Sequence, residues 1–147
     1  MTDSNPQPLP AEKEWILLAD DDPAVREIIG GNLKANGYHI LNACNGVEAV
    51  ALYAQYQERI TVVITDWSMP VMDGPACIRE LRKINPQVKV ILISGSFVKT
   101  SDQEMEELAV QAIMTKPFAR TDLLQALQED DGSSALGIGE KHEPFAQ

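Results

Sequence analysis

The chain has 147 residues, 44% of them hydrophobic, and a formal net charge of −10, which together indicate one globular domain. No apolar run approaches the roughly 20 residues that a membrane helix requires, and the polar, proline-rich start does not resemble a signal peptide. Because the chain is acidic and has no basic stripe, its composition argues against direct nucleic-acid binding.

Three segments differ in composition. Residues 1–13 are predicted to be a disordered leader, residues 14–129 a folded domain, and residues 130–147 an acidic tail that contains glycine and serine. Cys44 and Cys77 lack the spacing of metal ligands, so we expect two free thiols, buried or half-buried, in a reducing compartment, which favours a cytoplasmic location.

Strand and helix patterns alternate along the folded domain. Five apolar runs are predicted to be strands, at residues 15–19, 38–43, 61–65, 88–93 and 112–115. Helical spacing follows each run, with the helices predicted to open near Pro23, Gly46, Pro75, Asp102 and Thr121. Five alternations of this kind predict an α/β fold with a parallel sheet, because each parallel connection requires a crossover helix.

Reactive polar residues follow four of the five predicted strands. Asp20 and Asp21 follow the first strand, Asp66 the third, Ser94 the fourth and Lys116 the fifth. Ligands bind at the carboxyl ends of strands in a doubly wound sheet, so we expect these groups to converge. Each alone has an ordinary structural explanation, since Asp and Ser are common in turns and most lysines are solvated.

The residue types at these strand ends suit phosphoryl transfer. Clustered carboxylates repel one another and favour a divalent cation such as Mg²⁺, which prefers hard oxygen ligands. An aspartate carboxylate can act as a nucleophile and form an acyl phosphate. A lysine ammonium then neutralises charge on the transferred group, and a serine hydroxyl can donate to a phosphoryl oxygen.

Four motifs in this order resemble the receiver domain of bacterial two-component response regulators, of the type found in chemotaxis regulators. They read ILLADDDPAVREII, VVITDWSMPVMDG, ILISGS and MTKPF, and the resemblance covers about residues 15–127. It implies a doubly wound, five-stranded parallel sheet with five helices, the flavodoxin-like architecture. It also implies a signalling module in a phosphorelay rather than an enzyme. Such a module catalyses only its own phosphorylation and slow dephosphorylation.

The resemblance assigns roles to the acidic residues. Asp66 corresponds to the phosphoacceptor, which takes its phosphoryl group from a sensor histidine kinase or a histidine phosphotransfer protein. Asp21 corresponds to a direct Mg²⁺ ligand and Asp20 to an acidic residue that acts mainly through water. The backbone carbonyl of Ser68 corresponds to the third protein ligand. Output would then be protein–protein contact or relay of the phosphate.

The remaining motif residues match the switch of the family, with two departures, of which the milder is Gly95, where the family usually has Ala after the switch hydroxyl. Ser94 corresponds to the hydroxyl that responds to the phosphoryl group, and Lys116 to the lysine that pairs with it, with a cis peptide expected before Pro117. The residue three before that lysine is usually aromatic in the family, and here it is Ile113. The resemblance thus leaves open whether Ile113 weakens the conformational response.

Two other functions remain open from the sequence. The chain could be a degenerate receiver that binds partners without being phosphorylated, although every acceptor, metal and lysine position is filled. Alternatively, Asp20 and Asp22 have the spacing of the nucleophile motif in haloacid-dehalogenase-like phosphohydrolases. The Gly-Thr that should follow that motif is missing, and the chain is short for that fold.

Overall fold

A computed structural model of the chain describes residues 14–95 and 102–128, which form five strands and five helices in strict alternation. The strands are β1 Trp15–Ala19, β2 His39–Ala43, β3 Ile60–Asp66, β4 Val90–Ser94 and β5 Ala112–Thr115. The helices are α1 Pro23–Ala35, α2 Gly46–Tyr56, α3 Gly74–Ile84, α4 Asp102–Leu108 and α5 Arg120–Gln128.

All strand pairs in the described residues are parallel, and the strand order is β2-β1-β3-β4-β5. β2 therefore lies on one side of β1, and β3, β4 and β5 follow in order on the other side. This arrangement is the doubly wound, flavodoxin-like fold that the sequence predicts. The order reverses beside β1 and β3, which is where such sheets bind ligands.

The hydrophobic core has two layers because helices cover both faces of the sheet. Leu18 and Ile64 point into the layer under α1 and α5, whereas Leu17 and Val63 point into the layer under α2 and α3. This explains why the strands read as continuous apolar runs rather than alternating ones.

Side-chain caps fix where three helices begin. Asp22, Asn45 and Asp73 each accept a hydrogen bond from a backbone N–H in the first turn of α1, α2 and α3, at 2.8–2.9 Å. A cap of this kind stabilises a helix by about 1 kcal/mol. The Asp22 carboxylate therefore binds the first turn of α1 and is not part of the carboxylate cluster at the end of β1.

Some predicted boundaries are wrong by one or two residues. The fourth strand begins at Val90 rather than residue 88, because the Val88 N–H still donates to the Asn85 carbonyl in the preceding turn. The last helix begins at Arg120, one residue before Thr121. Both cysteines are free, and the expectation that they are buried or half-buried is confirmed for Cys77, which is buried, but wrong for Cys44, which is exposed.

Two expectations concern residues outside the described ranges. They are the leader at 1–13 and the acidic tail at 130–147. Within the described ranges, every helix falls short of the length and hydrophobicity that a membrane crossing requires.

Candidate functional site

Backbone hydrogen bonds between neighbouring strands bring the predicted site residues to one edge of the sheet. Asp66 is the last residue of β3, and the N–H that follows it, from Trp67, donates to the Ile93 carbonyl of β4 at 2.8 Å. Ser94 ends β4, and its carbonyl accepts from the Lys116 N–H at 2.8 Å. The carboxyl ends of β3, β4 and β5 are thereby held side by side.

Three carboxylates meet at this edge. Asp20, Asp21 and Asp66 each offer an oxygen, and these oxygens lie within 4.8 Å of one another. Asp20 is 2% exposed and Asp66 8% exposed, whereas Asp21 is exposed. Two buried acids and one accessible acid thus share one cluster, which agrees with the sequence expectation for a cation site.

Lys116 is the cation of the site. Its Nζ lies 3.7 Å from Asp20 Oδ2 and 3.6 Å from Asp66 Oδ1, so it forms ion pairs with both buried carboxylates. Both separations exceed a hydrogen bond, which leaves the ammonium close to the acids without a tight bond to either. The peptide between Lys116 and Pro117 is cis, as expected from the sequence.

The charge balance at the site favours a further cation. Burial raises the pKa of Asp66, the neighbouring Asp20 charge adds to this rise, and Lys116 opposes it. Burial also raises the pKa of Asp20, opposed by the hydrogen bond from the Asp22 N–H and by Lys116. Lys116 alone therefore does not compensate the two buried acids, so a divalent ion would relieve the remaining repulsion.

One atom in particular fits a metal or a phosphoryl group. Asp66 Oδ1 is buried and has no hydrogen-bond partner among the described residues, although buried carboxylate oxygens are normally satisfied. The oxygen set of Asp20, Asp21 and Asp66 matches the hard ligands that Mg²⁺ prefers. On both grounds the residues present fit that ion.

The loop between β3 and α3 is held close to the site by two glycines. A Cβ at Gly74 would lie 2.5 Å from the Asp66 carbonyl, and a Cβ at Gly46 would lie 2.5 Å from the Met72 carbonyl. Within this loop the Met72 N–H donates to the Pro70 carbonyl, and Val71 has a φ of 72°, so these three residues form a γ-turn. The loop places Ser68, which is exposed, two residues beyond Asp66.

Sequence reasoning missed one residue that supports the site. Arg26 in α1 donates from Nη1 to the backbone carbonyl of Asp20 at 2.6 Å and so fixes the end of β1. Because every residue has a main-chain carbonyl, a hydrogen bond from an arginine to such an oxygen requires no particular residue type at the acceptor. The sequence therefore contains no signal for this bond.

Comparison with known proteins places this geometry in a family. The sequence model of the response regulator receiver domain matches residues 16–128. The response regulator receiver protein CpdR of Brucella abortus is 30% identical over 115 residues, which cover 78% of this chain and 93% of that protein.

Two further relatives set this match in context. The sensor kinase CckA of Brucella abortus is 34% identical over 116 residues, but the chain spans only 12% of that kinase. A crystal structure of the receiver domain of sensor histidine kinase PA1611 from Pseudomonas aeruginosa, with a magnesium ion coordinated in its active-site cleft, has a TM-score of 0.71 and 25% identity. That alignment covers 79% of this chain and 95% of the receiver. The chain belongs to the response regulator receiver domain family, the phosphoryl-accepting modules of two-component signalling.

Proposed function

We propose that Asp66 is the phosphoacceptor of this receiver. Its carboxylate is buried beside Asp20 and Lys116, and its Oδ1 has no hydrogen-bond partner among the described residues. That oxygen is the observation that carries the proposal, because an unsatisfied buried carboxylate beside a cation is poised to act as a nucleophile.

The reaction transfers a phosphoryl group from a phosphohistidine. A carboxylate oxygen of Asp66 bonds to phosphorus, the phosphorus–nitrogen bond of the donor breaks, and its electron pair stays on the imidazole, which then takes up a proton. Lys116 neutralises charge that the phosphoryl oxygens bring to the site. Ser94, 4% exposed at the end of β4, supplies a hydroxyl that can donate to a phosphoryl oxygen.

Magnesium is the ion we assign to the acidic cluster. Asp21 and Asp66 would bind it directly, Asp20 through water, and the Ser68 carbonyl would complete the protein ligands. When bound, Mg²⁺ supplies charge neutralisation for the transferring group. The exposure of Asp21 supports this division of roles, because the ion and its remaining waters need access from solvent.

We assign a sensor histidine kinase or a histidine phosphotransfer protein as phosphodonor, and protein contact or phosphate relay as output. The likeness to the receiver-containing kinase relatives supports the first part. In this assignment the chain catalyses no reaction other than its own phosphorylation and slow dephosphorylation.

The test is chemical labelling of the full chain with acetyl phosphate and Mg²⁺, followed by mass spectrometry that locates the added phosphate. We expect phosphate on Asp66 and its loss in Asp66→Asn. Asp73→Asn is the matched control, because Asp73 lies in the same loop and its carboxylate caps α3, a task that Asn also performs.

Two outcomes would overturn the assignment. Phosphate on Asp20 would indicate the chemistry of a phosphohydrolase nucleophile instead. No phosphate on any aspartate, with the protein folded and Mg²⁺ bound, would indicate a degenerate receiver.

A further inference from the structure

An apolar groove runs between α1 and α5, on the side of the sheet away from α2 and α3. Its volume is about 270 Å³, and its walls include Ile28 and Leu33 from α1, Leu124 from α5, and Phe118 from the turn before α5. Ile28 is 65% exposed although it is a large hydrophobic residue. Apolar surface that is exposed and concave at the same time favours a partner that covers it.

The charge of the groove contrasts with that of the whole chain. Arg120 lies on its rim and donates from Nη1 to Asn32 Oδ1 of α1 at 3.3 Å, while Lys116 lines the end nearest the acidic cluster. Among the described residues that line the groove, two are cationic and none is acidic; Lys116 is paired with Asp20 and Asp66, so Arg120 carries the positive charge of the rim. In a protein of net charge −10, such a surface selects an occupant that is apolar and negatively charged.

We propose that the C-terminal tail of this same chain, residues 129–147, covers the groove by placing Leu136 and Ile138 in it. The tail begins directly after α5, which forms one wall. From Gln128 back to Arg120 the helix rises only about 12 Å. The eight residues from Gln128 to Leu136 can span about 26 Å, so the tail reaches the whole groove.

The tail also has the chemistry that the groove selects. Its apolar run, residues 135–139, lies between acidic residues on both sides: Glu129, Asp130 and Asp131 before it, and Glu140 and Glu143 after it. Leu136 and Ile138 are two positions apart, so both point to one side of an extended segment. Gly132 and two serines precede the run, which suits a reversal of chain direction.

The experiment compares amide NMR spectra of the isotope-labelled full chain with those of a double variant, Leu136→Ser with Ile138→Ser. We expect chemical-shift changes at Ile28, Leu124 and their neighbours, and a loss of the heteronuclear NOE for residues 135–139 in the variant. Leu9→Ser is the matched control, because it removes the same side chain from the opposite end of the chain and should leave the groove signals unchanged.

A reciprocal substitution tests the groove side. Ile28→Ser should lower the NOE of residues 135–139, whereas Val47→Ser, at an exposed valine on α2, should not. Both side chains are exposed, so neither variant threatens the fold. The proposal is wrong if groove signals are insensitive to the tail substitutions. It is also wrong if they shift with protein concentration, which indicates a second copy, or respond to Leu9→Ser, which indicates the leader. None of these readouts depends on phosphorylation.

Discussion

At the scale of single residues, three consecutive aspartates have three different environments. The Asp20 carboxylate is buried, accepts from the Asp22 N–H and forms an ion pair with Lys116. The Asp22 carboxylate accepts from the Ala24 N–H and caps α1. Only Asp21 is exposed with its carboxylate directed to the cluster. These adjacent aspartates therefore differ in environment, because backbone N–H groups donate to the carboxylates of Asp20 and Asp22 whereas Asp21 faces the cluster from the solvent side.

This difference gives a prediction for metal binding. Asp21→Ala should weaken Mg²⁺ affinity at least about tenfold, since even residues that only orient metal ligands cost 10–100-fold when removed. Titration of Trp67 fluorescence measures it, because Trp67 follows Asp66 directly and lies at the site. Trp15 should stay silent, because it lies at the start of β1 and stacks on His39 at the opposite end of the sheet.

Asp22→Ala is the control for that prediction. It should lower the free energy of unfolding by about 1 kcal/mol through loss of the cap while leaving the Mg²⁺ affinity unchanged. Equal affinity in Asp21→Ala and the wild type would contradict the metal assignment.

At the scale of elements, the structure shows which boundaries local sequence decides. The first and fifth strands have the predicted bounds, and α1 starts at Pro23 as predicted, because apolar runs and a capping aspartate are local signals. The sequence predicts too early a start for β4, because Val88 has strand propensity and is buried, yet its N–H donates to the Asn85 carbonyl of the preceding turn. Propensity and burial alone do not distinguish a strand residue from a residue that ends a turn.

Arg82 joins three of these elements and is another residue that the sequence did not single out. Its Nη1 donates to the Val88 carbonyl before β4 at 2.6 Å, and its Nη2 donates to the carbonyls of Leu108 and Ala109 at the end of α4, both at 2.8 Å. Burial lowers the pKa of this guanidinium. Arg82 thereby supplies donors to carbonyls that the end of α4 leaves without helical partners.

We predict that Arg82→Met lowers the free energy of unfolding by about 2–3 kcal/mol, because charge-assisted bonds to three carbonyls, two of them part-buried, are lost. Arg79→Met is the matched control on the same helix. Its ion pair with Glu104 is half exposed, so the loss should stay below about 1 kcal/mol. Urea denaturation measures both, and hydrogen exchange should show faster opening of α4 in Arg82→Met alone. Equal losses in the two variants would contradict the role of Arg82.

At the scale of the whole molecule, the topology explains why the convergence of the candidate site residues could be predicted from sequence. Residues distant in the chain meet because parallel strands bring their carboxyl ends to one edge, so Asp20, Asp66 and Lys116 are identifiable by position alone. The supporting contacts could not be predicted in the same way. The bond from Arg26 to a carbonyl and the tight approach of Gly74 depend on backbone positions that only the folded molecule defines.

The last prediction concerns how a change at this edge reaches the outer face of β5. Ile113 is 41% exposed on that strand, between the buried Ala112 and Met114. Receivers usually have an aromatic residue here, which turns inward when the switch hydroxyl moves toward the phosphoryl group. Ile113 is β-branched and stiff at its first side-chain torsion, and it has no ring to bury. The two states should therefore differ little on this face.

Amide chemical-shift maps with and without beryllofluoride, which stands in for the phosphoryl group, measure the difference. We expect small changes at Ile113 and at the start of α5, and larger ones in residues 94–100. Ile113→Tyr should enlarge the changes at β5, whereas Thr115→Tyr, on the same face two residues away, should not. Large changes centred on Ile113 in the wild type, with residues 94–100 unmoved, would show that isoleucine carries the switch as well as an aromatic residue does. A ligand shifts the equilibrium between two states only as far as its affinities for them differ. Small changes on this face would therefore indicate that output depends on the segment after Ser94 or on relay of the phosphate.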